Sequence, residues 1–139
     1  MIEGDQYIKR VIFFFSFLNT EFRFRLYEEK VRGNVFYDVR FKNETKIISV
    51  SYENIEDYFE VVVFKLQNGE MPDYDDKVET LHLSKLNEVI LSIIDKNEIN
   101  LNKEYFREFK VTDELDRKLL KSAKELRLCL KYFNDIKSI

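Results

Sequence analysis

Between residues 34 and 67 the chain alternates apolar and polar side chains through three successive runs, each closed by a short polar turn. A strand points successive side chains to opposite faces, and a tight turn joins only antiparallel neighbours, so this pattern predicts an antiparallel meander. In the first run Val35, Tyr37, Val39 and Phe41 alternate with Phe36, Asp38, Arg40 and Lys42. Asn43 is the turn residue that follows. The second run sets Ile48, Val50 and Tyr52 against Ile47, Ser49 and Ser51, and residues 53–57 form the next turn. The third, residues 58–66, carries Val61-Val62-Val63-Phe64, whose β-branched and aromatic side chains favour strand over helix. A strand apolar on both sides is central or covered on both faces.

The flanking sequence supplies what such a sheet needs. Residues 5–17 read as a helix, with Ile8, Val11, Ile12, Phe15 and Leu18 at spacings of three and four and Asp5 as its N-cap. Residues 20–27 alternate again and read as a first strand. Phe22, Phe24 and Leu26 lie on one face, with Glu21, Arg23, Arg25 and Tyr27 on the other, and a polar turn covers residues 28–33. Residues 67–80 form the one long loop, part of which can extend the sheet through Val78, Leu81 and Leu83. Ser84 is expected to cap a helix over residues 84–96. Asn102 is expected to cap a short helix carrying Tyr105, Phe106 and Phe109, and Thr112 or Asp113 a final helix to about Phe133. The predicted fold class is α+β: an antiparallel sheet of about four strands in a meander, preceded by one helix and followed by two to three helices packed on one face. At 139 residues the chain is expected to be a single domain, 1–139. Its predicted core comprises Phe22, Phe24, Val39, Phe41, Ile48, Val50, Val61 and Val63 with Leu86, Ile90, Leu119 and Leu126.

The residues that carry common chemistries are scarce. One cysteine, Cys129, excludes an internal disulfide and favours a reducing compartment. Residues 11–18 are apolar after Lys9-Arg10, but Glu3 and Asp5 precede them, no small-residue cleavage site follows, and the run is too short to span a membrane. The expected location is cytoplasmic, with no membrane partner. Cys129 and His82 are the only candidates for a thiol–imidazole pair, and Cys129 falls beside the apolar stripe of a helix, where a cysteine acts as a small hydrophobe. Asp73, Asp75 and Asp76 resemble part of a calcium loop, but Lys77 and Val78 stand where a ligand and the turn glycine belong. Glu60 and Asp38, placed on neighbouring strands, are the one candidate carboxylate pair. No catalytic residue, metal site or cofactor is assigned from these patterns.

Charge is the distinctive feature. Residues 53–79 hold nine carboxylates and two lysines, net −7, in a chain that is net −3. An acidic surface of this kind steers and holds a basic protein partner, and the expected contact residues are Glu56, Asp57, Tyr58, Glu60, Asp73, Tyr74, Asp75 and Asp76. Arg23, Arg25 and Arg40 form a smaller basic face with Tyr27 nearby, though the overall acidity argues against nucleic acid as the partner. In size, acidity and α+β layout the chain resembles the small immunity and antitoxin proteins of bacteria, which implies an inhibitory, partner-binding role. Three readings follow. The first is a cytoplasmic protein-interaction module acting through the acidic segment. The second is an enzyme or small-molecule binder with a pocket between sheet and helices, and the third a nucleic-acid-associated factor using the arginine face. The sequence leaves oligomeric state open.

Overall fold

The alternating runs become adjacent strands of one sheet. The computed structural model describes residues 1–73, 76 and 79–133. The chain divides into two compact units, Met1–His82 and Leu83–Ile139. The first holds α1 (Gly4–Phe14), α2 (Phe17–Phe22), β1 (Arg25–Arg32), β2 (Phe36–Lys42), β3 (Lys46–Glu53), β4 (Tyr58–Lys65) and β5 (Thr80–His82). Five strands rather than four pair in sequence order, every pair antiparallel. The fifth takes Thr80 from the end of the long segment together with Leu81 and His82; Leu83 begins a helix instead, and Val78 lies outside the described residues.

Register explains which side chains are buried. Across one face run Val39, Val50 and Val61, and beside them Phe41, Ile48, Val63 and Leu81, all buried. Helix α1 lies against this face: Tyr7 stacks on Tyr37 and Tyr52, with ring centroids 5.5 and 5.8 Å away, and its hydroxyl donates to the Val50 carbonyl at 3.0 Å. Each such side chain contributes about 1.5–3 kcal/mol over its exposed state. The opposite face carries a smaller apolar cluster of Ile47, Val62 and Phe64, with Leu66 against it. Asp38 and Ser49 are buried on that face too. β3 and β4 are thus closed on both sides, as the apolar run in β4 predicts.

The N-terminal region departs from the predicted boundaries. The first helix ends at Phe14, and a second short helix occupies Phe17–Phe22, where a strand is expected from residue 20. Glu3, not Asp5, is the N-cap of α1, without a side-chain capping bond. Arg23 ends α2 in the left-handed conformation (φ 62°), its N–H bonded to the Leu18 carbonyl. The first strand therefore starts at Arg25 and runs through the predicted polar turn to Arg32. β1 is an edge strand exposed along most of its length, so it has no buried face for an alternating pattern to mark. Of the predicted core residues only Phe22 is half-buried, contrary to expectation, and the others are buried; Leu26, on the expected apolar face of the first strand, is exposed.

The second unit consists of α3 (Leu83–Ile93), α4 (Lys96–Tyr105) and α5 (Glu114–Lys131), with both α3 and α4 in contact with α5. Ser84 lies inside α3, which begins one residue earlier. α4 is capped by Asp95, whose carboxylate accepts from Glu98 N at 3.0 Å. Asn102, the expected cap, is instead buried within α4. Its Nδ2 donates to the Lys124 carbonyl and its Oδ1 accepts from Arg127, both at 2.9 Å. Of the two expected caps, Asp113 is the one that caps α5, accepting from Asp116 N, while the Asp116 carboxylate accepts from Thr112 N and Oγ1. Among the described residues no helix is long and apolar enough to cross a membrane.

Candidate functional site

The tip of the β3–β4 hairpin concentrates half of the predicted acidic contact residues. Glu53 closes the turn with its own carboxylate, accepting from Ile55 N at 2.9 Å and Glu56 N at 3.0 Å. Asp57 takes the left-handed conformation (φ 52°), tolerated by aspartate, and its carboxylate accepts from the Tyr52 hydroxyl. Asn54 ties the tip to the neighbouring β1–β2 turn: its backbone N–H donates to Val35 O at 2.8 Å and its Nδ2 to Asn34 O at 2.6 Å. These bonds hold the backbone of residues 53–57 in one shape. They leave Ile55 70% and Tyr58 58% exposed, with Glu56 and Asp57 exposed beside them. Tyr58 is hydrogen-bonded to Glu60, and partial burial, then the Glu60 charge and that bond, raise its phenol above the usual value. Glu60 in turn meets His82 Nδ1 at 2.6 Å.

Asp73 and Asp76 do not join this tip. They lie in the β4–β5 connection, at the opposite end of β4. The eight residues of that strand separate the two ends by about 23 Å. Asp76 is engaged locally, its Oδ1 accepting from Glu79 N at 3.2 Å and its carbonyl from Thr80 N at 2.8 Å. Tyr74 and Asp75 lie outside the described residues. The described carboxylates of the segment are therefore divided between the two ends of one strand.

The predicted basic face also divides. Arg40 is only 21% exposed in its side chain and turns to Asp38, two residues earlier on the same face, at 2.9 Å. Ser49 donates to the other Asp38 oxygen at 2.6 Å. Arg23 and Arg25 remain exposed and line an open cleft of about 640 Å³ with Tyr27, Lys42 and Glu44. Lys42 belongs with them because it pairs directly with Arg25 across β1 and β2. Sequence reasoning omitted it, since only the register brings the two together.

The candidate carboxylate pair is not assembled. Asp38 and Glu60 are on β2 and β4, with Ser51 of β3 between them, not on neighbouring strands. Each carboxylate has its own partner. Among the described residues no group of three or more His, Cys, Asp or Glu side chains is placed to hold a metal ion.

Cys129 is fully buried, and burial, followed by the Glu125 carboxylate, pushes its thiol up to about 12 from the ordinary 9.0. The thiolate is the reactive form, so a disulfide reagent at neutral pH should leave the native protein unmodified. Modification within seconds without denaturant would contradict this. The same shift carries a stability term. The native state holds this proton more tightly than the unfolded chain, so stability is unaffected below pH 9 and falls between pH 9 and about 12. The slope is about 1.4 kcal/mol per pH unit, and Cys129→Ala should abolish that component of alkaline unfolding.

Two features of the tip escaped the sequence reading. Ile55 is a lone apolar residue in a polar turn, and Glu53 looks like any solvated acid. The available signal was a glutamate followed two and three residues later by turn positions, which a side chain of that length can cap.

No protein-family model, curated protein or solved structure matches the chain.

Proposed function

We propose that the chain is a protein-interaction module that docks a basic protein partner on the tip of its β3–β4 hairpin. The observation that carries this reading is a pair of large apolar side chains, Ile55 and Tyr58, held out in solvent by a turn whose own hydrogen bonds are already made. Anchors presented on a fixed backbone lose little conformational entropy on binding, and aromatic anchors dominate interface energetics. Residues 53–60 contain four carboxylates and no lysine or arginine, which selects a basic partner. Glu56 and Asp57 steer the encounter; Ile55 and Tyr58 hold the complex. The size and acidity of the chain fit an inhibitor of the immunity or antitoxin kind. A reducing cytoplasm fits its single buried thiol.

The test is association kinetics at two salt concentrations, on the partner captured from the native host. Glu56→Gln should slow association and flatten its salt dependence, because exposed charges are screened over about 8 Å at physiological ionic strength. Tyr58→Ala should raise the off-rate by about 30-fold or more, the loss of a hot-spot anchor of about 2 kcal/mol. Asp73→Asn, at the far end of β4, should change neither rate. An on-rate indifferent to salt and to Glu56→Gln, with an off-rate indifferent to Tyr58→Ala, would end this reading.

A further inference from the structure

The cleft at the β1 edge holds cations that the fold itself does not neutralise. Arg25 and Lys42 stand directly opposite each other in the β1–β2 register, and like charges so placed destabilise a sheet. Arg23 lines the same cleft, and Glu44 is the one carboxylate among its lining residues. Among the described residues the side chains of Arg23 and Arg25 have no hydrogen-bond or ion-pair partner. Lys42 lies over the Tyr27 ring, 5.0 Å from its centroid.

The backbone around Arg23 is braced to keep this arrangement. Its left-handed φ of 62° is one that glycine adopts freely and arginine does not. Three bonds secure the segment. Phe24 N donates to Leu18 O at 2.9 Å, Asn19 Nδ2 to Phe24 O at 3.1 Å, and Asn43 Nδ2, from the β2–β3 turn, to Phe22 O at 3.3 Å. The left-handed residue closes α2, and the bonds around it fix the point from which the Arg23 side chain projects. Here the side chain is a guanidinium beside a second guanidinium and an ammonium.

We propose that this cleft binds a nucleoside polyphosphate, with Arg23, Arg25 and Lys42 on the phosphates and the Tyr27 ring under the base. Guanidinium groups match phosphate oxygens in a two-pronged geometry that lysine alone does not provide. Tyr27 is 55% exposed, and the ring face not covered by Lys42 is the one on which a base would stack. A volume of about 640 Å³ suits a ligand of nucleotide size. A net charge of −3 over the whole chain opposes a long polyanion, whereas a local cluster of three cations suits a short one. This site is separate from the hairpin tip and does not depend on it.

Isothermal titration of the intact chain with ATP, tripolyphosphate, adenosine and a ten-residue oligothymidylate decides the matter. ATP should bind, tripolyphosphate about tenfold more weakly for want of stacking, and adenosine not measurably. Arg25→Ala and Lys42→Ala should each weaken ATP binding by about tenfold or more. Arg23→Gly is the sharper variant, because it removes a charge while relieving the backbone. It should weaken ATP binding while leaving the melting temperature unchanged or raised, which separates a ligand role from a structural one. No ATP binding, or binding unmoved by Arg25→Ala, would overturn the proposal. Tripolyphosphate binding as tightly as ATP would overturn the nucleotide assignment, as would an oligothymidylate that binds more tightly than ATP and is weakened by Arg25→Ala.

Discussion

Arg40→Ala should destabilise the protein by about 3–5 kcal/mol, the range for removing one partner of a buried ion pair. Asp38 is 3% exposed, and its two carboxylate oxygens are held by Ser49 Oγ at 2.6 Å and Arg40 Nε at 2.9 Å. Without the guanidinium, one carboxylate oxygen of Asp38 loses its hydrogen-bond partner. Arg40 also packs over the Phe64 ring, 5.7 Å from its centroid, so the alanine variant loses contact as well as charge. Asp38→Asn should cost less, because the amide can still accept from Ser49 and the arginine, a fifth exposed, can reach solvent. In the Asp38→Asn background, Arg40→Ala should then cost under about 1.5 kcal/mol, since no buried charge is left to strand. Urea unfolding at constant m-value measures all four corners of the cycle. A loss below about 1 kcal/mol for Arg40→Ala in the wild-type background would mean that Asp38 does not depend on it.

This pair shows where sequence pattern stops. Alternation placed Arg40 on the polar face of its strand, which is correct. It also suggested an exposed arginine in a basic surface, because period-two patterning reports which face a residue is on and not whether that face is covered. Asp38, two residues earlier, shares the face and was the signal available. The central strands were legible because both the pattern and the β-branched run in β4 follow from burial. β1 was displaced because an edge strand with little buried surface gains its order from backbone pairing to β2, which leaves no trace in side-chain polarity. Cap residues were legible only in part. Of the expected alternatives Thr112 and Asp113, Asp113 is the cap of α5, whereas the cap of α4 is Asp95, and Asn102 is a buried link between α4 and α5.

The acidic segment was legible as composition and illegible as geometry. A stretch of 27 residues with net −7 reads as one surface until the strand inside it is given a length. The turn at residues 53–57 and the connection to β5 leave β4 in opposite directions, so their charges act as two weaker fields. The proposed contact site rests on the hydrogen-bonded turn and the exposure of Ile55 and Tyr58 at the tip. Neither is a property of a residue type: Glu53 acts as a turn closure and Glu56 remains solvated, though both are glutamates three positions apart.

Tyr7→Ala should cost about 3–5 kcal/mol, the range for deleting a large buried ring. Tyr7 is fully buried in α1, stacked with Tyr37 and Tyr52, and its hydroxyl donates to Val50 O. The two neighbouring rings lead outward. Tyr37 donates to Ile2 O at 2.8 Å and accepts from Asn54, and Tyr52 donates to Asp57. Asn54 and Asp57 are both in the hairpin tip, so the cavity left by Tyr7→Ala adjoins the rings that brace the proposed contact surface. Tyr7→Phe keeps the ring and should lose only about 1 kcal/mol, the net value of one hydrogen bond. The two variants also separate a pH effect. Burial, then the charges of Asp38 and Tyr52, raise the Tyr7 phenol well above its ordinary 10.0. The unfolded chain therefore releases this proton above pH 10 while the native state keeps it, and stability falls as pH rises past that point. Tyr7→Phe should lack this component, so its stability deficit relative to wild type should shrink between neutral pH and pH 11. A deficit that stays constant over that range would show that Tyr7 ionises in the native protein as readily as in the unfolded one.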